Sequence, residues 1–426
     1  MKKYFFFAAA ALAALASCSK VEPEDQNGPE ITFQAANYKS ATKADGDNAG
    51  HLELYKDGTG FGVYAYFTPT NWATDGASYS PETPFMNNIE IQFGRTNAPA
   101  TWSPEDTYYW PKTGALSFIG YYPKMDSNVS VENTGADGNA SIKFTDYSVT
   151  ASAAEQQGES KTGLYKDSAE DYDYNDLMTA AFVRDQKSNS NTHFTNGVPM
   201  VFSHVLAKVR INAKLKKLTT TEEDGAAKTS VNGITYAVTL DDVQINNITI
   251  AGTYSNGAWS AASDAVTTKT GSSASLYGVC AKPAEVAVST TDAPTNISST
   301  TPLTNKYAQI GHDYYVMPQT IADASTLVVT YTVYVIDSEG KILSKEQHTT
   351  SSADKHPGAQ AAIKLNSIKN SNSIAIDKWA KNTIYSYNLE ISPVSDDPIY
   401  FDAAVIDWAA DIVKSEDVLI EEKEQN

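Results

Sequence analysis

Cysteine is almost missing from this chain: there are two in 426 residues, Cys18 and Cys280. Two cysteines allow one disulfide at most, and none if Cys18 is modified, so stability has to come from burial of apolar side chains. Histidine is scarce as well, at six residues: His51, His193, His204, His312, His348 and His356. No His-x-x-x-His or Cys-x-x-Cys spacing occurs among these residues, so a dedicated metal site has no basis in the sequence. Gly-x-Ser-x-Gly elbows and phosphate loops are absent. No two of the 51 acidic residues stand out as a pair for glycoside hydrolysis. An enzyme is not expected, and no cofactor is called for. Positive charge is in deficit, with 32 basic residues against 51 acidic and a net charge of −19, a balance that repels nucleic acid and anionic headgroups. Helical periodicity is rare. Past the N-terminus, no apolar run approaches the ~20 residues that a membrane-crossing helix needs.

The N-terminus carries the parts of an export signal. Lys2 and Lys3 precede an apolar stretch from Tyr4 to Leu15, and the small residues Ala16 and Ser17 lead to Cys18. A positive segment, a short apolar core and a small-residue cleavage site make residues 1–17 a removable leader. The run Leu15-Ala16-Ser17-Cys18 marks Cys18 for lipidation, as in bacterial lipoproteins, with acyl chains such as palmitate as the anchor. Loss of Lys2 and Lys3 takes the formal charge from −19 to −21. Beyond Cys18, Glu22-Pro23-Glu24-Asp25 reads as a solvated tether. The other cysteine, Cys280, lies in the strand-like Leu276-Tyr277-Gly278-Val279-Cys280-Ala281 and is expected to be a buried small hydrophobe.

What the chain has in abundance is β-forming sequence. Tyrosine reaches 25 residues, and period-2 alternation recurs in Ile31 to Ala35, Phe61 to Phe67, Ile89 to Phe93, Leu116 to Tyr122, Lys208 to Ala213, Ile234 to Leu240, Leu327 to Ile336, Thr383 to Ile391 and Ile399 to Val405. Turn signals separate these runs, among them Asn256-Gly257 and Ser338-Glu339-Gly340. The spacing predicts an all-β protein of sandwiches. A boundary is expected near residues 205–225, giving an N-terminal sandwich over 44–212 and a C-terminal one over 213–426. Residues 151–175, 186–197, 260–275 and 288–305 read as polar surface loops. Asp176 to Val183 fits either a short helix or a strand edge.

Several residues invite a chemical reading and receive a structural one. His204 lies in an alternating apolar segment and is expected to be a core histidine. Asp171-Tyr172-Asp173-Tyr174-Asn175-Asp176 has the look of a calcium loop, yet Asp176 and Phe182 stand where that loop needs glycine and glutamate. Trp110, Trp379 and Trp408 are expected in cores. Trp72 and Trp102, in loop-like sequence, are the tryptophans expected to be exposed. Exposed rings of that kind would suit the alternative reading, a surface lipoprotein that binds glycans.

The order of these segments carries a resemblance. Ile31-Thr32-Phe33 is followed by Ala41-Thr42-Lys43-Ala44, Gly60 to Tyr66, Tyr108-Tyr109-Trp110-Pro111, Phe118 to Pro123, Asp176 to Ala180, Phe202 to Val209, Tyr315-Val316-Met317-Pro318-Gln319, Trp379 to Tyr387 and Trp408. Together with the cysteine motif, this series resembles the fimbrillin family of Bacteroidales, the lipoprotein precursors of surface fimbriae. The resemblance implies two tandem transthyretin-like Greek-key β-sandwiches behind a lipoprotein signal peptide. It also implies an outer-membrane lipoprotein that a trypsin-like protease cuts after a basic residue beyond the first strand. Ile31, Phe33 and Ala35 would then face inward on the releasable strand, within a propeptide over 18–43, and Lys43 or Lys39 would be the processing residue. The best-known members of the family carry arginine at that point. A neighbouring subunit's C-terminal region would fill the vacated groove, with Val418, Leu419 and Ile420 as the possible donor here. The implied partners are other fimbrial subunits, the protease, the outer membrane and a host protein or glycan ligand. The polar loops lean toward a tip or accessory role over a stalk role.

Overall fold

The computed structural model describes residues 29–37, 60–75, 84–94, 102–134, 139–149, 177–188, 197–261, 302–309, 314–350, 362–394 and 399–407. Among them, the regular structure is β apart from the four-residue helical turn Trp72–Asp75 and the 3-10 turn Leu365–Ser367. The expected all-β class is what forms. Asp176 to Val183, left open between helix and strand edge, contributes the short strand Met178–Ala180, with Val183–Gln186 after it.

The first half builds a sheet that closes on itself. Phe61–Thr68 pairs antiparallel with Met86–Phe93 on one side and with Ala115–Tyr122 on the other. From Met86–Phe93 the ladder passes to Trp102–Pro104, then to Phe33–Asn37, and on to Val198–His204. Met178–Ala180 joins Val198–His204 back to Ala115–Tyr122 and completes the circuit. Strand side chains alternate between faces. Phe61, Val63 and Ala65 accordingly point into the circuit with Phe33, Phe118, Met200 and Phe202, whereas Tyr64 and Tyr66 point out of it.

The outward tyrosines are covered by a second, four-stranded sheet. Its strands are Val129–Thr134, Asn139–Ser148, Ala251–Ser255 and Ala258–Ala261, so a hairpin from the second half of the chain pairs with a strand from the first. The hairpin turns at Asn256 and Gly257, both with positive φ (51° and 77°), as a two-residue turn between twisted strands requires. Glu132 holds that turn, accepting from Asn256 N at 2.5 Å and from Ser255 Oγ at 2.9 Å.

The chain leaves the closed sheet after His204 and enters the second sandwich at Ala207. There Ala207–Leu215 runs parallel to Thr383–Ile391, with Tyr400–Asp407 outside the latter. The facing sheet consists of Thr229–Val231, Ile234–Asn246, Thr326–Ile336 and Ile342–Thr349. Between the sheets lies an aliphatic core that includes Val209, Ile211, Leu389, Val243, Val329 and Val333. The expected turn after Ile336 is present, its Asp337 carboxylate accepting from Glu339 N at 2.9 Å and Lys341 N at 2.8 Å. No helix among the described residues is long and apolar enough to cross a membrane.

Candidate functional site

The first strand among the described residues, Phe33–Asn37, is held on both sides. It sits inside a sheet, between Trp102–Pro104 and Val198–His204. Its pairing is parallel with Val198 to Phe202, in register from Phe33↔Val198 to Asn37↔Phe202. Before the strand proper, Ile31 N donates to Tyr108 O at 2.8 Å and Pro29 O accepts from Trp110 N at 3.1 Å. On the other flank, Val198 N donates to Thr32 O at 2.7 Å. Backbone bonds therefore hold this segment on both sides.

Ile31, Phe33 and Ala35 are brought together in the interior of the closed sheet, at 2%, 1% and 0% exposure. The Phe33 ring meets Phe61 and Phe118 edge-to-face, with centroids 6.0 Å and 5.7 Å apart. That arrangement suits the charge distribution of aromatic rings and adds to the gain from burial. Gly197 closes the floor beneath: with φ at +100°, it leaves no room for a side chain, since a Cβ there would stand 2.6 Å from Phe33 N. Only glycine takes up that backbone conformation without strain and lets the strand approach this closely. The interior offers no charged group to a ligand; it is a trough shaped to large-x-aromatic-x-small, read along one strand.

Cys18, Lys39, Lys43 and Val418-Leu419-Ile420 lie outside the described residues, as do Trp408, Cys280 and the calcium-like run Asp171 to Asp176. Trp72 and Trp102 correct an expectation: both are buried. Trp72 tucks the helical turn inward against Phe182, 4.7 Å between centroids, and its backbone N–H donates to Asp185 Oδ1 at 2.6 Å. Trp102 seals the groove beside Phe33, packed on Phe61 and Phe93 at 5.3 Å and 5.6 Å. Its indole N–H is buried and has no hydrogen-bond partner among the described residues. Polar neighbours in sequence hid both rings, since a three-residue strand and a four-residue turn are too short to show periodicity. Trp110 and Trp379 are buried, as expected, and so is His204. His348 stacks on Tyr331 at 5.2 Å. No cluster able to hold a metal ion occurs among the described residues.

The fimbrillin-like family model matches residues 42–408. The chain belongs to the fimbrillin-like family. Among solved structures, this fimbrillin-like chain is similar to a protein assigned to cell adhesion from Bacteroides uniformis, at 16% identity and TM-score 0.39, covering 89% of this chain and 99% of that one. It is also similar to a fimbrilin from Porphyromonas gingivalis, at 12% identity and TM-score 0.35, covering 89% and 98%. At such low scores, membership rests on the family model. No curated protein matches.

One relation within the fimbrillin-like chain escaped sequence reading although the signal was there. Ile31-Thr32-Phe33-Gln34-Ala35-Ala36 recurs as Ile399-Tyr400-Phe401-Asp402-Ala403-Ala404, the same Ile-x-Phe-x-Ala-Ala. The second copy begins at the outermost strand of the second sandwich, Tyr400–Asp407, which pairs in full only with Thr383–Ile391. Its far edge has one isolated bridge, Ala403 to Asn370. Ile399 and Ala403 are buried there, Phe401 is half-buried, and Tyr400 and Val405 are exposed.

Proposed function

We propose that this chain is a structural subunit of cell-surface fimbriae, non-enzymatic, whose first strand is a removable plug. In this reading it is exported as an outer-membrane lipoprotein through Cys18, cut after Lys43 or Lys39, and completed by an extended strand from a second subunit. The support is the setting of Phe33: a strand next to the N-terminus fills the aromatic interior of a sheet that closes only through it. Removing it uncovers the Val198–His204 edge and a trough lined by Phe61, Phe118 and Phe202. Such an edge pairs readily with another chain. Ile31 and Phe33 alone contribute roughly 1.5–3 kcal/mol each through burial, so an empty groove gains several kcal/mol on refilling.

Two segments are candidates to fill it. Val418-Leu419-Ile420 is one. The repeat Ile399 to Ala404 is favoured by its pattern, because Phe401 would exchange a half-buried position for the pocket that Phe33 fills. The full chain cut by limited trypsin, with the first strand washed out, should bind a synthetic peptide of residues 399–407 saturably and gain several degrees in thermal midpoint. Phe401→Asp in the peptide should abolish the gain. If neither this peptide nor one spanning 416–424 binds, strand exchange is wrong. For the native protein, mass spectrometry of sheared surface material should find a chain beginning at Ala44 or Ser40; a chain beginning at lipidated Cys18, found only in membranes, sinks the processing step.

A further inference from the structure

A cleft that shares no residue with the groove lies between the Asn256-Gly257 turn and the ribbon formed by Gln319–Thr320 and Lys378–Trp379. Its volume is about 400 Å³, within the range of small-molecule sites, roughly 300–1,000 Å³. The floor is rigid. Trp379 is buried with its indole N–H donated to Tyr387 OH at 2.9 Å, and the Gln319 amide is tied to Thr249 by two bonds of 2.8 Å and 3.0 Å.

Trp259 forms one wall. It is partly exposed, whereas Trp72, Trp102, Trp110 and Trp379 are buried. Its N–H is committed to Val205 O at 2.7 Å, and its ring rests against Tyr254 and Tyr147, at 5.2 Å and 5.8 Å. The indole is thus fixed in place, with part of its surface left to the cleft.

Two ammonium groups complete the rim. Lys381 gives one hydrogen to Gly257 O at 2.9 Å and lies over the Tyr254 ring at 5.8 Å. An ammonium has three hydrogens, so two remain. Lys378 is exposed and has no hydrogen-bond or carboxylate partner among the described residues. In a chain with a net charge of −19, two lysines at one cleft with no carboxylate partner among the described residues stand out.

The geometry points to a carbohydrate site in this cleft, for a pyranoside that carries a carboxylate. The sugar ring lies against Trp259, its hydroxyls meet Thr320 and the turn carbonyls, and its carboxylate pairs with Lys378 and the remaining hydrogens of Lys381. Gln319, Thr320 and the two lysines in the lining disfavour an acyl chain, and the indole has no role in binding a bare inorganic anion.

Titration calorimetry of the full chain tests this with hyaluronan hexasaccharide as the acidic probe and maltohexaose as the neutral one. The expected result is saturable binding of the acidic probe, at least tenfold weaker for maltohexaose and at least tenfold weaker in Lys378→Glu, with the thermal midpoint of that variant unchanged. Absence of saturable heat, equal affinity for maltohexaose, or undiminished binding by Lys378→Glu would each overturn the proposal. None of these outcomes bears on strand exchange, which uses other residues.

Discussion

Gly197 lies directly against the Phe33 backbone, and substitutions at the two positions should separate two contributions. Phe33→Ala removes an aromatic side chain from a closed interior and should cost about 3–5 kcal/mol in urea unfolding of the full chain. Gly197→Ala puts a Cβ against the Phe33 backbone and holds alanine at a φ of +100°, for a loss of order 1–3 kcal/mol. After trypsin release of the first strand, the Phe33 effect should vanish, whereas the part of the Gly197 effect due to backbone strain should persist. Equal effects before and after release would mean that the strand adds little to the closed sheet. At this scale the sequence was partly legible. The alternation of Ile31, Phe33 and Ala35 showed which side chains turn inward, because period 2 is a property of any strand. Trp102 was not legible, since its burial depends on Phe61 and Phe93, which lie on other strands.

Strands and turns were more readable than their partners. Asn256-Gly257 announced its hairpin, because few residue pairs accept two successive positive φ angles. Nothing local announced that this hairpin would pair with Asn139–Ser148, or that Glu132 would cap its turn. Ladder partners far apart in sequence are chosen by burial on the shared face, and a carboxylate on a polar strand looks like any solvated acid. Glu132→Ala should leave Asn256 N and Ser255 Oγ without their acceptor and cost about 1–3 kcal/mol. The loss should be local: amide exchange in Ala251–Ala261 should accelerate well before that in Ala207–Leu215. Uniform acceleration in both would show that the turn holds the whole molecule and not its own sheet.

At the scale of the whole chain, both halves contribute to one intermediate layer. Tyr64, Tyr121 and Phe144 from the first half pack there with Val205 on the link and with Tyr254, Tyr315 and Ile384 from the second. Trp259 Nε1 and Asn382 N donate to Val205 O and Leu206 O, at 2.7 Å and 2.9 Å, on the link between the sandwiches. A single calorimetric transition is therefore expected in place of two. Alkali should act through the same layer. Burial pushes the Tyr64 hydroxyl up to about 12, above the unfolded value near 10. The stability linked to it is complete below about pH 10 and is lost as pH rises toward 12. Urea midpoints should hold steady to about pH 10 and then fall, less steeply in Tyr64→Phe; identical slopes would exclude Tyr64 as a cause. The parallel register of Phe33 with Val198 also governs timing. A chain made from its N-terminus presents the Phe33 strand long before its partner exists, and contacts so distant in sequence form slowly. Through that interval the groove stands open to any strand of the right pattern, and the covalent attachment of the chain's own strand serves as a high local concentration that excludes competitors.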